Sequence, residues 1–564
     1  MSDHFDAVVV GSGFGGSVMA YRLAEAGKRV CVLERGKAYP PGSFPRAPHE
    51  MKENFWDPSL GLHGLFNVWS FPGAGALISS ALGGGSQIYA NVLIRKDENW
   101  FFDTDPDTGA ERPWPVTRAE LDPHYGAVER MLNAQPYPFH VSPYDATAKT
   151  QAMQSAAAAL GHEWRLPNLA VSFRARPVAD PAHIDEIANP ARVGEPIIED
   201  SVNLHGTPRS TCRLCGECDL GCNYGSKNTL DLNYLSAAKR HGAEIRTLAE
   251  VKRFEKRLDG QFEIQYAQHQ AGRKSEFSPT VTITADRLVL AAGTLGSTYL
   301  LLKNRTAFSQ LSPALGTRYS GNGDLLSFFL DAAKPLNPMI GPVITSAIRL
   351  ENKGNAGGFY IEDGGYPAFL AWIIESALDL PGFASRAVHF GKRTIFGALG
   401  LDPDTDLGRE VSELLGPCLT AQHSLPVLAM GRDTPSGRLS LNGKFLDCDW
   451  NLEKSSEYYA RLIATGRQVA EKMGARYQQN PSFEFFRQVL TAHPLGGCPM
   501  GTNREEGVVD EYGEVFGYPN LYVTDGSMLP GPVGPNPALT IAALADRAAT
   551  RILENNPAAA GGSR

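Results

Sequence analysis

The stretch FDAVVVGSGFGGSVMAYRLAEAGKRVCVLERG, residues 5–36, constrains the fold of this chain more than any other. An apolar run reaches a turn bearing Gly11, Gly13 and Gly16 in GxGxxG spacing. Small and apolar residues then recur at helical intervals, and a second apolar run, RVCVLE, ends in Glu34. Each part has a task in holding a dinucleotide. The glycines permit a tight turn and close backbone approach, the helix N-terminus faces a pyrophosphate, and the acid accepts hydrogen bonds from ribose hydroxyls. A glycine triplet alone is common, but strand, turn, helix, strand and acid in register predict a β-α-β nucleotide-binding unit. FAD and NAD satisfy that unit equally.

A chain of 564 residues exceeds one ordinary core, so two or more structural units are expected. With 43% hydrophobic and 20% charged residues it has the composition of a soluble globular protein, and no apolar run reaches the roughly 20 residues that a membrane helix needs. The net charge of -8 argues against nucleic acid as a partner, because phosphate binding takes a concentrated excess of Lys and Arg. The N-terminus enters an apolar strand without the pattern of a signal peptide, and a cytoplasmic enzyme is expected.

A second glycine turn, ALGGGSQIYAN, carries Gly84, Ser86 and Asn91, and its apolar flanks predict a buried turn facing a ligand. AMQSAAAALG, residues 152–161, predicts a helix, and residues 280–304 predict a strand that turns at Gly293 into another helix. Residues 367–400 combine Trp372, Phe383 and Phe396 with Arg386, Lys392 and Arg393. Their pattern suits either a core helix with a solvated basic face or an element lying on a membrane surface. Residues 555–564 are expected to form a flexible tail.

Four of the eight cysteines fall in TCRLCGECDLGCNYGSKN, residues 211–228, as Cys212, Cys215, Cys218 and Cys222. Their C-x2-C-x2-C-x3-C spacing matches that of bacterial ferredoxin runs, although Asn223 stands where proline usually follows. Three readings stay open: a [4Fe–4S] cluster, a tetrahedral zinc site, or thiols that simply pack or form labile bridges.

Near the C-terminus, QVLTAHPLGGCPMG is followed by NLYVTDGSMLPGPVGPNPALTI. A strand delivers Asp525 to a turn, and a crossing rich in proline and glycine leads to Asn536-Pro537 and a helix beginning near Ala538. With the first fingerprint, GGGSQIYAN, KNTLDLNYL and LVLAAGTLGS, this ending resembles the glucose-methanol-choline (GMC) flavoprotein oxidoreductases along nearly the whole chain, and their cholesterol oxidase branch most.

The resemblance implies an α/β, Rossmann-like FAD-binding domain with an α+β substrate domain, each discontinuous in sequence. Residues 1–100, 225–320 and 490–554 would form the first, and residues 101–224 and 321–489 the second. It implies FAD bound by Gly11, Gly13, Gly16 and Glu34, with Val251 near the adenine. Gly84, Ser86 and Asn91 would lie near the pyrophosphate or flavin, and Asp525 and Gly526 near the ribityl-pyrophosphate. His493 and Asn536 would face the flavin and oxidise a bulky apolar alcohol such as a sterol, with oxygen, a quinone or a redox protein as acceptor. The family also contains lyases and a decarboxylase, and a flavin/iron–sulfur electron-transfer protein is the remaining alternative. Cholesterol oxidases that isomerise their product use a glutamate in the substrate domain. The strand expected to hold it reads AQHSLPVL here, with Gln422 and His423 but no carboxylate, so the sequence leaves isomerisation open.

Overall fold

The computed structural model describes residues 3–46, 48–178, 180–353, 357–368, 419–480, 483–484 and 488–555. The segment expected to be a core or membrane-surface helix, from residue 369 to 400, and the expected tail from residue 556 lie outside the described residues.

β1 (His4–Val10), α1 (Phe14–Glu25) and β2 (Val30–Leu33) form the predicted β-α-β unit. Further along come α2 (Arg118–Met131), α3 (Ala148–Leu160) and β3 (Glu163–Arg165). α4 (Tyr234–Arg240) precedes β4 (Glu244–Arg246), β5 (Ala249–Lys256), β6 (Phe262–Gln268) and β7 (Thr280–Leu290), and β7 leads into α5 (Gly293–Lys303). β8 (Leu325–Leu330), β9 (Ala347–Leu350), β10 (Phe359–Asp363) and β11 (Leu425–Gly431) follow, then α6 (Ser456–Lys472) and β12 (Arg476–Gln479). β13 (Leu521–Val523) and α7 (Ala538–Glu554) close the chain.

The first sheet runs β4-β2-β1-β7-β6-β5. β1 pairs in parallel with β2 and β7, and Val8, Val9 and Val10 are buried, as strands covered on both faces must be. β7 is long enough to serve two further partners along its other edge. Its beginning pairs antiparallel with β6, while Leu288, Val289 and Leu290 pair in parallel with Leu521, Tyr522 and Val523 of β13. That pairing brings the C-terminal region to the centre of the nucleotide sheet. α1 packs against α4 and α7, and α7 against α2, in one continuous apolar core with the sheet.

The second sheet is antiparallel throughout, in the order β3-β9-β10-β11-β8-β12. α3 packs on β9, β10 and α6, and a second apolar core lies between these helices and the sheet. The molecule therefore joins a Rossmann-like α/β unit to an α+β unit, and β10, buried at all five positions, runs through the second.

Candidate active site

The two glycine turns predicted from sequence meet. A side chain on Gly84 would place its Cβ 2.7 Å from the Cα of Gly13, and Gly83 N–H donates to the Ser12 hydroxyl over 2.9 Å. Gly11 has φ +98 and a Cβ there would fall 2.3 Å from Ala291 O, while one on Gly16 would fall 2.1 Å from Gly11 O, so both positions demand glycine. At Gly13 and Gly293 a Cβ would meet nothing within 4 Å, which leaves bare backbone lining a cradle.

Glu34 is buried behind that cradle. Oε2 accepts from Ser12 N–H at 3.0 Å and the Ser12 hydroxyl at 2.6 Å, and Oε1 accepts from Gly36 N–H at 2.8 Å. Burial pushes its pKa up and these donors oppose the rise. Ala249 N–H donates to Glu34 O over 2.8 Å, which sets the buried Val251 two residues along the adjoining strand.

Other expected contacts divide by role. Asn91 is fully buried at φ 71, and neither its amide nitrogen nor its amide oxygen has a protein partner. The Thr524 hydroxyl is similarly unpartnered. Such buried polar groups call for a ligand, and with the bare glycines they fit a bound dinucleotide. Ser86 and Asp525 are instead occupied within the protein. The Ser86 hydroxyl donates to Gly83 O and accepts from Leu230 N–H, pinning its own turn. Asp525 accepts from Gly293 N–H and Ser297 at one oxygen and from the N–H and hydroxyl of Ser527 at the other. It fixes the starts of α5 and of the Gly526–Met528 turn. A Cβ on Gly526 would lie 2.9 Å from the Thr294 hydroxyl.

His493 and Asn536 are braced by one short segment, residues 320–324. Asp324 is completely buried, and its two oxygens lie 2.9 and 3.0 Å from Nδ1 of His493. It also accepts from Thr491 Oγ1 and Ala492 N–H. A carboxylate only accepts, so Nδ1 carries the proton and, in the neutral ring, Nε2 is the acceptor. Two residues earlier, Asn322 Oδ1 accepts from Val533 and Gly534 N–H, and Nδ2 donates to Pro535 O. The backbone leading into Asn536 is thereby held to the turn that holds His493.

Asn536 donates through Nδ2 to Glu362 Oε2 over 3.3 Å. Its own oxygen and the other oxygen of Glu362 have no partner. Burial pushes the Glu362 carboxyl up to about 8; the Asn536 donor opposes the rise, and the nearby Asp363 and Asp324 add to it. The strand AQHSLPVL carries no carboxylate, and this acid stands on the strand beside it. Leu428 of the strand expected to carry one pairs with Glu362 on the neighbouring β10. An acid inside the apolar run FYIEDGG was the available signal.

The cysteine loop lies elsewhere. Among the described residues, no three His, Cys, Asp or Glu side chains are arranged to hold a metal ion, which corrects the expectation of a single zinc held by these thiols. Nor is any helix of the described residues long and apolar enough to cross a membrane.

Residues 203–314 and 437–545 match family models described as GMC oxidoreductase, and residues 9–42 match a NAD(P)-binding Rossmann-like domain. A cholesterol oxidase of Mycobacterium tuberculosis (strain ATCC 25618 / H37Rv) is 31% identical, over 98% of this chain and 91% of its own. The chain belongs to the GMC oxidoreductase family. It is therefore an oxidoreductase acting on CH–OH donors. A second relative of this GMC oxidoreductase, a cholesterol oxidase of Acinetobacter baumannii, is 29% identical over 97% of this chain and 94% of its own. The crystal structure of pyridoxine 4-oxidase from Mesorbium loti shares the fold with a TM-score of 0.59 at 18% identity, covering 97% of this chain and 99% of that one.

Proposed function

We propose that this GMC oxidoreductase binds FAD in the cradle of Gly11, Gly13, Gly16, Glu34, Gly84 and Asn91 and oxidises a bulky apolar secondary alcohol of the sterol class. The observation that carries the reading is the pairing of His493 with the buried Asp324 beside a segment that also braces Asn536. Bound FAD would supply the hydride acceptor. His493 Nε2 accepts the hydroxyl proton, and the resulting imidazolium is stabilised by Asp324 through Nδ1. Asn536 orients the substrate oxygen without adding charge. The names of the two relatives support a sterol as substrate and oxygen as electron acceptor.

Glu362 favours a further step within the same reading. A carboxyl tuned near neutrality can take a proton from one carbon of an unsaturated ketone and return it to another, moving the double bond into conjugation. Anaerobic addition of a 3-hydroxy-Δ5-steroid to the purified yellow protein is the direct test, with bleaching of the flavin band and release of a conjugated ketone as the expected result. A flavin band that survives every sterol and long-chain alcohol overturns the substrate class.

A further inference from the structure

Cys212, Cys215, Cys218 and Cys222 are free thiols that line one cavity together with Val171, Lys227 and Gly341. They surround that space without being arranged to hold a single ion. A lone zinc needs every sulfur at about 2.3 Å from one point, whereas a cubane cluster takes its four ligands at separate corners.

The loop is built around its sulfurs. Leu214, at φ 57, donates its N–H to Cys212 Sγ over 3.4 Å. Amide donors of this kind stabilise cluster-bound thiolates. From outside, Asn223 exchanges hydrogen bonds with both backbone groups of Phe44. Arg46 binds the Glu217 carboxylate and the carbonyls of Leu220 and Gly221. Asn223 and Arg46 thus fix the end of the loop, where a ferredoxin run has proline.

Charge is matched as well. Four thiolates around iron and sulfide carry net negative charge, and the amino group of the buried Lys227 lines the same cavity. Lys227 also bridges outward, donating to Cys218 O at 2.8 Å and to Gln87 O at 3.0 Å. Gln87 ends the turn that begins at Gly84, so Lys227, which lines the cavity, ties it to the nucleotide cradle.

We propose that Cys212, Cys215, Cys218 and Cys222 ligate a [4Fe–4S] cluster seated against the Gly84–Gln87 turn. This site does not depend on the identity of the alcohol, and its test reads metal rather than turnover. The full chain is purified anaerobically, reconstituted with ferrous iron and sulfide, desalted, and assayed for iron, acid-labile sulfide and zinc. About four irons and four sulfides per chain are expected, with a broad visible absorption beneath the flavin bands that bleaches with dithionite. Cys215→Ser and Cys218→Ser should lose that iron while keeping flavin and the circular dichroism of the parent. A reconstituted chain with only flavin absorption, or one holding zinc in place of iron, overturns the proposal. Should the variants fail to fold, the iron and sulfide content of the unmodified chain decides alone.

Discussion

Asp324 and Glu362 are two acids with opposite tasks, separated by what each one touches. Asp324 grips an imidazole nitrogen and gives His493 its orientation. Asp324→Asn keeps the volume and removes the charge. We expect kcat/KM to fall by about 10- to 100-fold, as for other groups that orient a functional histidine. Flavin content should be retained, and the loss should fall on kcat because the imidazole loses the group that orients it. An unchanged kcat/KM would reduce Asp324 to a structural part. Glu362 accepts a hydrogen bond from the amide of Asn536, and its other oxygen has no hydrogen-bond partner. Glu362→Gln is therefore expected to bleach its flavin with a Δ5-sterol nearly as the parent does, but to release the unconjugated ketone. Chromatography of the product distinguishes the two ketones.

At the scale of elements, the glycines of the first turn divide into those that the fold requires and those that the ligand requires. A methyl at Gly11 would strike Ala291 O at 2.3 Å in a left-handed backbone, whereas one at Gly13 would enter open space. Gly11→Ala should thus lower the melting temperature of the flavin-free protein. Gly13→Ala should leave it unchanged and lower only the ratio of flavin to protein absorbance; equal loss of stability in both would show that the cradle is simply a packed turn. The same distinction explains what was legible in the sequence. The β-α-β unit, the strand before Gly293 and the helix at Ala538 were legible because period and punctuation are local properties of the chain. His493 and Asn536 came from motif resemblance. Asp324 and Glu362 escaped because each acts across long sequence separations, 169 residues to His493 and 174 to Asn536, which spacing does not encode. Ser86 and Asp525 were expected beside the cofactor, and backbone donors that only the fold brings together take up their oxygens.

For the molecule as a whole, burying acids makes stability depend on pH. Burial holds Glu362 up to about 8, Asp433 up to about 7 and Asp219 up to about 6. The folded protein therefore binds more protons than the unfolded chain between the ordinary carboxyl range near 4 and these raised values. Their contribution is fully present below the unfolded pKa and is lost as pH rises through the folded one. Glu250, held down to about 2 against its own burial by His269 and Lys252, works in the opposite direction and loses its contribution only as pH falls toward 2. The flavin-loaded protein should consequently be most stable near pH 5 and melt at progressively lower temperature up to pH 8. General charge repulsion in an acidic chain has the same sign, so the slope alone does not isolate the buried acids. Glu362→Gln does, because glutamine imitates the protonated acid and cannot ionise. Parent and variant should melt together near pH 5, and the variant should melt higher at pH 8. A difference in melting temperature that stays constant across this range would mean that Glu362 does not take up its proton on folding, and with it would go the basis for using this carboxyl as a proton carrier near neutrality.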